Sequence, residues 1–182
     1  SRGLGDVYKR QGSNTQTVEQ GVRDLADFLH MLGNPVGVIS AGNSQSLERF
    51  LDLNYPLSIL DVQRTMAVCA EDGAAAVILA LSEETLNDDA LQSVNVDVLG
   101  CDDKGLSEAE IVKSVARFGC TVGKQTHIAG RTQESDALAA QATEAYGQTD
   151  SSALSLSIAM VLAAGVRKAN IKSALRVSRD LN

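Results

Sequence analysis

Six polar residues precede the first amphipathic helix of the chain, and their types are those of a phosphate-binding loop. They are Gly12, Ser13, Asn14, Thr15, Gln16 and Thr17. Such a loop uses glycine to let backbone N–H groups approach a phosphate, and a helix N-terminus to favour its negative charge. Thr17 offers a hydroxyl for Mg²⁺, but no lysine is present to reach the β and γ oxygens. A polar N-terminal cap of the helix is the alternative interpretation.

A second glycine-containing segment is a weaker candidate for phosphate binding. Residues 123–126 read Gly-Lys-Gln-Thr, but their spacing from Gly119 is one residue short of a Walker loop and a helix precedes them. His127 is a candidate general base, yet no nucleophile or orienting carboxylate lies beside it in sequence. We therefore expect a chance loop sequence and a surface histidine.

Carboxylates and thiols give no clear metal site. Three pairs of adjacent carboxylates, at residues 83–84, 88–89 and 102–103, are more typical of solvated turns than of cation ligands. Cys69, Cys101 and Cys120 are odd in number and far apart, which favours neither zinc nor disulfides. We expect no metal centre, and reduced, buried thiols of the kind found in a cytoplasmic protein.

Composition restricts the class of protein. The 182 residues are 44% hydrophobic and carry a net charge of −7, which becomes more negative without residues 1–11. An acidic chain without a compact basic patch repels phosphate backbones, so nucleic-acid binding is not expected. The longest apolar run is too short to span a bilayer, so no membrane association is expected.

Apolar runs alternate with amphipathic helices along the chain. Residues 36–39, 57–60, 75–81 and 94–99 read as strands buried on both faces. Helices are predicted from Val18 to Leu32, over residues 61–70, after Ser107, over 131–146, over 153–164 and from Asn170. The pattern predicts one doubly wound α/β domain with a mostly parallel sheet, over residues 12–182.

In this setting the polar hexapeptide resembles the phosphate loop of the Mur ligase family, whose ATP-dependent members include folylpolyglutamate and cyanophycin synthetases. The family loop reads Gly-Thr/Ser-Asn-Gly-Lys-Thr-Thr, and Gly12, Ser13, Asn14 and Thr17 match it. Thr15 stands at the second Gly, Gln16 at the Lys and Val18 at the second Thr.

Features with the order of the family's central ATP-binding domain continue along the chain. Residues 33–40 read Gly-Asn-Pro-Val-Gly-Val-Ile-Ser, similar to the family's Gly-x-x-Val-Gly-x-Ile-x-Thr/Ser. The segment from residue 152 to Val166 is similar to the family's Asn-Ala-Leu-Ala helix and its closing Gly-Val. The family's metal-binding Glu falls on Ala80 and its His falls on Glu84, so two of its functional side chains are replaced.

The resemblance implies a P-loop, Mur-ligase central-domain-like fold with ATP and Mg²⁺ as cofactors and a nucleotide as partner. If active, the protein would be an ATP-dependent amide ligase. The losses at Gln16, Ala80 and Glu84 imply a degenerate domain that is weakened or inactive. A small non-enzymatic α/β domain that associates with proteins, and a divergent but active amino-acid ligase, are the two alternatives.

The first eleven residues, 1–11, resemble the in-frame translation of a sequencing adapter of the kind used to prepare metagenomic libraries. On that interpretation they are foreign to the protein and take no part in its fold, and the domain is N-terminally truncated. A phosphate loop connects a central buried strand to its helix, so we expect a natural strand directly before Gly12.

Overall fold

The computed structural model describes residues 6–12, 15–92, 94–101, 103, 105–120, 122–146 and 152–181. The strands are β1 (Asp6–Gln11), β2 (Val36–Ile39), β3 (Ser44–Ser46), β4 (Arg49–Leu51), β5 (Ala76–Leu81), β6 (Val98–Cys101) and β7 (His127–Ala129). The helices are α1 (Thr15–Met31), α2 (Ile59–Glu71), α3 (Glu108–Val115), α4 (Gln133–Tyr146), α5 (Ser152–Ala163) and α6 (Lys168–Leu181).

The strands form one sheet in the order β4-β3-β2-β5-β1-β6-β7. Strands β2, β5, β1, β6 and β7 run parallel to one another, and β1 is paired on both sides, with Tyr8 opposite Ile78 of β5 and Val98 of β6. Strands β3 and β4 add an antiparallel edge. This mostly parallel sheet confirms the α/β class.

Helices cover both faces of the sheet, which explains why its strands are apolar without alternation. One core contains Val77 and Leu79 of β5 with residues of α2 and α3. The other contains Ile78 of β5 and packs α1 with residues of α4, α5 and α6, including Val22 and Ile158. The arrangement is doubly wound, as predicted.

Local sequence signals set several of the helix ends. The Ser107 hydroxyl accepts from the backbone N–H of Glu110, whose carboxylate accepts from the Ser107 N–H, so the predicted capping box starts α3. A second capping box, between Ser58 and Asp61, starts α2. Gly33 follows α1 with a φ of 85°, which ends that helix in the left-handed region.

Two of the predicted strands are misplaced. Residues 57–60 are not a strand: Leu57 forms an isolated bridge to Leu86, and the capping box turns the chain into α2 at Ile59. The strand predicted over 94–99 starts only at Val98. Strands Val36–Ile39 and Ala76–Leu81 lie where they were predicted.

The largest correction concerns the first residues of the chain. Residues 1–11 were expected to take no part in the fold, but Asp6–Gln11 is the central one of the five parallel strands, paired with both β5 and β6. A strand therefore leads directly into Gly12, as a phosphate loop requires, and it consists of residues whose sequence predicts no part in the fold. The hydropathy pattern did not predict this strand, because two of its buried residues, Lys9 and Arg10, are charged.

Candidate functional site

The glycine-containing loop lies at the carboxyl end of the central strand. Gly12 follows β1 directly, and α1 begins at Thr15, so the loop joins a buried strand to a helix N-terminus. Gln16 and Thr17 lie in the first turn of α1 and are exposed. Ser13 and Asn14 lie outside the described residues. This geometry suits an anion, because the first N–H groups of a helix have no partner within it.

A cleft of about 610 Å³ opens beside this helix start. It is lined by Thr17 of α1, by Cys101 at the end of β6, by Gly130 after β7, and by residues of α3 and α5. Helix α1, which follows β1, packs on one face of the sheet, and α3, which follows the neighbouring strand β6, packs on the other face. Ligands of doubly wound sheets bind at such a switch point.

The charges of the cleft are mixed. Among its described lining residues Arg131 is the cation, and Asp103, Glu108 and Asp136 are carboxylates. Ile111, Ile128 and Leu156 supply apolar surface. A cleft with more carboxylates than cations holds a multiply charged phosphate less well than one with the opposite balance.

Hydrogen bonds hold the cation of the cleft in place. The Arg131 Nε donates to Asp136 Oδ1 at 3.0 Å, and the Ser155 hydroxyl donates to the same oxygen at 2.6 Å. Ser155 also lies 2.9 Å, oxygen to oxygen, from the buried hydroxyl of Ser135. Asp136 therefore links the loop after β7 to α5 and fixes one wall of the cleft.

A group of hydroxyls lies on the other side of β1, at the carboxyl ends of β2 and β5. The Thr85 hydroxyl accepts from the Ala41 N–H at 3.0 Å and from the Ser82 hydroxyl at 3.0 Å. Nearby, the Tyr55 hydroxyl donates to the buried Ser44 hydroxyl at 2.6 Å. These contacts join the loops after two neighbouring strands, so they shape the carboxyl edge of the sheet next to the loop at Gly12.

Ala80 and Glu84 stand where the family pattern has its metal-binding Glu and its His. Ala80 is fully buried in β5, opposite Arg10 in the register of β1, and its methyl group has no atom that binds a metal. Glu84 is exposed in the turn after β5. Over the described ranges, His, Cys, Asp and Glu side chains do not gather in a group of three or more that would hold a metal ion.

The carboxylate pairs have structural partners. Arg117 forms ion pairs with Glu83 and Asp88 and stacks on the ring of Phe118, its Cζ 5.4 Å from the ring centroid. These hydrogen bonds raise the pKa of Arg117. Asp103 lines the cleft, while Asp102 lies outside the described residues. One carboxylate of each of the first two pairs, Glu83 and Asp88, therefore ties the loop after β5 to the turn that follows α3.

The remaining sequence candidates, apart from Cys101, lie away from the cleft. His127 is exposed on the edge strand β7, as expected of a surface histidine, and Lys124 is exposed in the preceding turn. Cys69 and Cys120 are buried free thiols, and burial raises the pKa of Cys69. Cys101 is half-buried and lines the cleft.

Sequence reasoning missed most of the cleft wall. Arg131, Asp136 and Ser152 come from a loop and two helices more than a hundred residues after the glycine loop, and only the fold brings them to it. One sequence signal could have found part of this wall. Residues that follow a parallel strand lie at the carboxyl edge of the sheet, and Arg131 follows β7.

Comparison with known proteins identifies the fold. No protein-family model matches the sequence, and no curated protein matches it. Solved structures that resemble it include E. coli FolC in complex with DHPP and ADP, with a TM-score of 0.55 and 15% identity over 94% of this chain and 56% of that one. The bifunctional folylpolyglutamate synthase/dihydrofolate synthase from Yersinia pestis CO92 gives 0.54 and 11% over 96% and 58%.

A further bifunctional folylpolyglutamate synthase/dihydrofolate synthase, solved with Mn, AMPPNP and L-glutamate bound, gives a TM-score of 0.52 and 11% identity over 96% of this chain and 58% of that chain. The chain thus spans less than two thirds of each of these proteins. Among the residues that the structure describes, no helix combines the length and apolar character needed to cross a membrane. At these identities the likeness shows the fold: an α/β domain of the kind found in FolC, a Mur ligase family member.

Proposed function

We propose that this chain is a degenerate Mur-ligase-like nucleotide-binding domain, weakened or inactive as an ATP-dependent amide ligase. The observation that carries the proposal is the placement of Gly12 and the first turn of α1. They lie at the carboxyl end of the central strand and beside a cleft at the topological switch point. This is the position at which doubly wound folds bind nucleotides.

The same site supports binding better than phosphoryl transfer. The α1 N-terminus and the Thr17 hydroxyl suit a phosphate and its Mg²⁺, but Gln16 supplies no charge at the position of the family's lysine. Ala80 supplies no carboxylate for the metal. Losing one electrostatic group of this kind costs about 10²–10³ in rate. The residues do not fit a catalytic Mg²⁺–ATP complex.

The fold of the neighbours supports the class of ligand. FolC was solved with ADP, and a second neighbour with AMPPNP and Mn. The excess of carboxylates over cations in the cleft favours a weakly held nucleotide over a tightly held one.

Titration of the purified protein with Mg²⁺–ATP tests this proposal. We expect weak binding by the native chain, tighter binding by Gln16→Lys, and no ATP hydrolysis above background by either protein. Gln63→Lys is the matched control, because Gln63 is an exposed glutamine on α2 and the same charge is added away from the loop.

The two alternatives give different results. A divergent ligase predicts ATP turnover by the native chain, with the missing lysine and carboxylate supplied from elsewhere in the protein. A protein-association domain predicts no response of nucleotide affinity to Gln16→Lys. Equal effects of Gln16→Lys and Gln63→Lys would show that added charge acts through the acidic surface and not through the loop.

A further inference from the structure

The hairpin of β3 and β4 forms one edge of the sheet. Strand β4 pairs with β3 on one side, and in the described part of the chain no strand follows it on the other. Phe50, in the middle of β4, is 72% exposed. Proteins usually keep such edges short, charged or covered, because the outward backbone groups of an edge strand invite another strand to pair.

The register of the hairpin shows which backbone groups of β4 face outward. The Leu47 N–H donates to the Val36 carbonyl at 3.0 Å, so Leu47 and, two residues before it, Gln45 turn their backbone groups toward β2. The backbone groups of Ser46, between them, turn toward β4. Phe50 lies opposite Gln45, so its own N–H and C=O point away from β3, to the outer side of the sheet.

Side-chain contacts hold this edge in place. The Ser46 hydroxyl donates to the carboxylate of Asp72, at the C-terminal end of α2, at 2.6 Å. Arg49 of β4 forms an ion pair with the same carboxylate. Ser46 and Arg49 are opposite each other and one residue away from the pair of Gln45 and Phe50, so these contacts lie on the other face of the sheet. A fixed edge costs less entropy to pair with than a loop that must first become ordered.

Charge decides which kind of strand suits this edge. Glu48 and Asp52 are exposed, two residues before and two residues after Phe50. Antiparallel pairing with a second copy about Phe50 would place Glu48 of one copy opposite Asp52 of the other, and like charges directly opposite each other are destabilising. A strand with Lys or Arg at those two places would form an opposite-charge pair at each end instead.

We propose that β4 is a docking edge for an extended basic segment of another protein, which adds to the sheet as an antiparallel strand. The central residue of that segment is apolar and lies beside Phe50, and the residues two places before and after it are Lys or Arg, opposite Asp52 and Glu48. Backbone hydrogen bonds to Phe50 supply affinity, and the two cations select the partner. The net charge of −7 favours the encounter. The inference does not depend on nucleotide binding, because three strands separate β4 from β1.

Fluorescence anisotropy of labelled peptides with the full chain tests the docking edge. The basic probe is Thr-Lys-Thr-Ile-Thr-Lys-Thr, with both ends blocked. A permuted probe, Thr-Lys-Thr-Ile-Lys-Thr-Thr, has the same composition but places its two lysines on opposite faces of a strand. We expect saturable binding of the basic probe, and binding of the permuted probe that is weaker by about two- to fivefold because one cross-strand ion pair is lost.

Variants of the edge should change this affinity in a defined way. Glu48→Lys/Asp52→Lys makes both end pairs repulsive, so it should weaken binding of the basic probe by about tenfold or more and instead bind Thr-Glu-Thr-Ile-Thr-Glu-Thr. Phe50→Thr removes the ring but keeps a residue that favours strands, and it should weaken binding several-fold. Glu108→Lys/Glu134→Lys is the matched control, because it makes the same charge change at exposed positions of α3 and α4, which follow β6 and β7. It should change the affinity by less than about twofold, since solution ions screen distant charges.

Hydrogen exchange of backbone amides separates strand pairing from simple charge attraction. The basic probe should protect the outward N–H of Phe50 and leave the exchange of Arg49 and Leu51, which pair with β3, unchanged. No binding of the basic probe, equal affinity for the basic and permuted probes, an equal loss in the control variant, or no protection at Phe50 would overturn the proposal. A dimer of the native chain that Phe50→Thr dissociates would also overturn it, because a second copy would then occupy the edge.

Discussion

The Lys9 ammonium nitrogen lies 3.3 Å from the sulfur of Cys120, inside the core on one face of the sheet. This contact joins the central strand to the segment that follows Phe118, two regions separated by more than a hundred residues. It places a titratable cation where the surroundings favour its neutral form, so the stability of the fold is linked to pH at this residue.

The free energy of unfolding should rise with pH because of Lys9. Its folded pKa is lowered from 10.5, so in the window between the folded pKa and 10.5 the unfolded chain binds more protons. The cost of burial is complete below the folded pKa and is relieved as pH rises through this window. Urea unfolding at several pH values should show Lys9→Met more stable than the native chain at pH 7, with the difference shrinking toward pH 10.

A Cys120→Ala variant is the control for this titration, because it removes the partner thiol and leaves Lys9 buried. It should keep the pH dependence that Lys9→Met loses. A stability difference between Lys9→Met and the native chain that stays constant from pH 7 to 10 would show that Lys9 remains protonated in the folded state.

Deleting residues 1–11 should abolish cooperative unfolding. The deletion removes the strand that joins β5 to β6 and leaves Val77, Leu79 and Leu99 without their neighbour. Two exposed edges of a parallel sheet also invite aggregation. Circular dichroism and dye binding to apolar surface measure the change, and a deletion variant with the native melting temperature would show that β1 contributes nothing.

Gly37 is required because β2 passes close to α2. A Cβ added there would lie 2.4 Å from Cys69 Sγ, so Gly37→Ala should cost about 1–3 kcal/mol of stability. Adding Cys69→Ala should recover part of the loss, because it removes the sulfur that the new methyl group meets. Gly123→Ala, at a position with nothing within 4 Å, is the control and should cost less than about 0.5 kcal/mol.

The three thiols should react in a fixed order. Cys101 is half-buried at the cleft, whereas Cys69 and Cys120 are buried, and burial raises the pKa of Cys69. Alkylation of the native protein at pH 8 should therefore modify Cys101 first, because thiolate content and access control the rate. Mass spectrometry of digested samples identifies the site, and modification of Cys69 before Cys101 would contradict the described burial.

The sequence predicted the apolar strands and most helices because their signals are local. The run at Val36–Ile39 and the capping box at Ser107 depend only on nearby residues. It failed at β1, because the pairing of that strand with β5 and β6 outweighs the polarity of Lys9 and Arg10. It also failed at residues 57–60, where capping by Ser58 decides the conformation.

The candidate site was predictable only in part, for the same reason. Gly12 and Thr17 could be singled out because they lie at the start of an amphipathic helix. The cleft wall at Arg131 and Asp136 could not, because strand order brings it to α1 and strand order is a property of the whole sheet.

The most direct test of the account is the affinity of the native chain and of Gln16→Lys for Mg²⁺–ATP, measured by calorimetry together with phosphate release. A lysine in the first turn of α1 can form an ion pair with phosphate oxygens, which an uncharged glutamine cannot do. We therefore expect the affinity for Mg²⁺–ATP to rise by about tenfold or more, equivalent to about 1.4 kcal/mol. Phosphate release should stay at background in both proteins. Rapid ATP hydrolysis by the native chain would contradict the account and favour an active ligase.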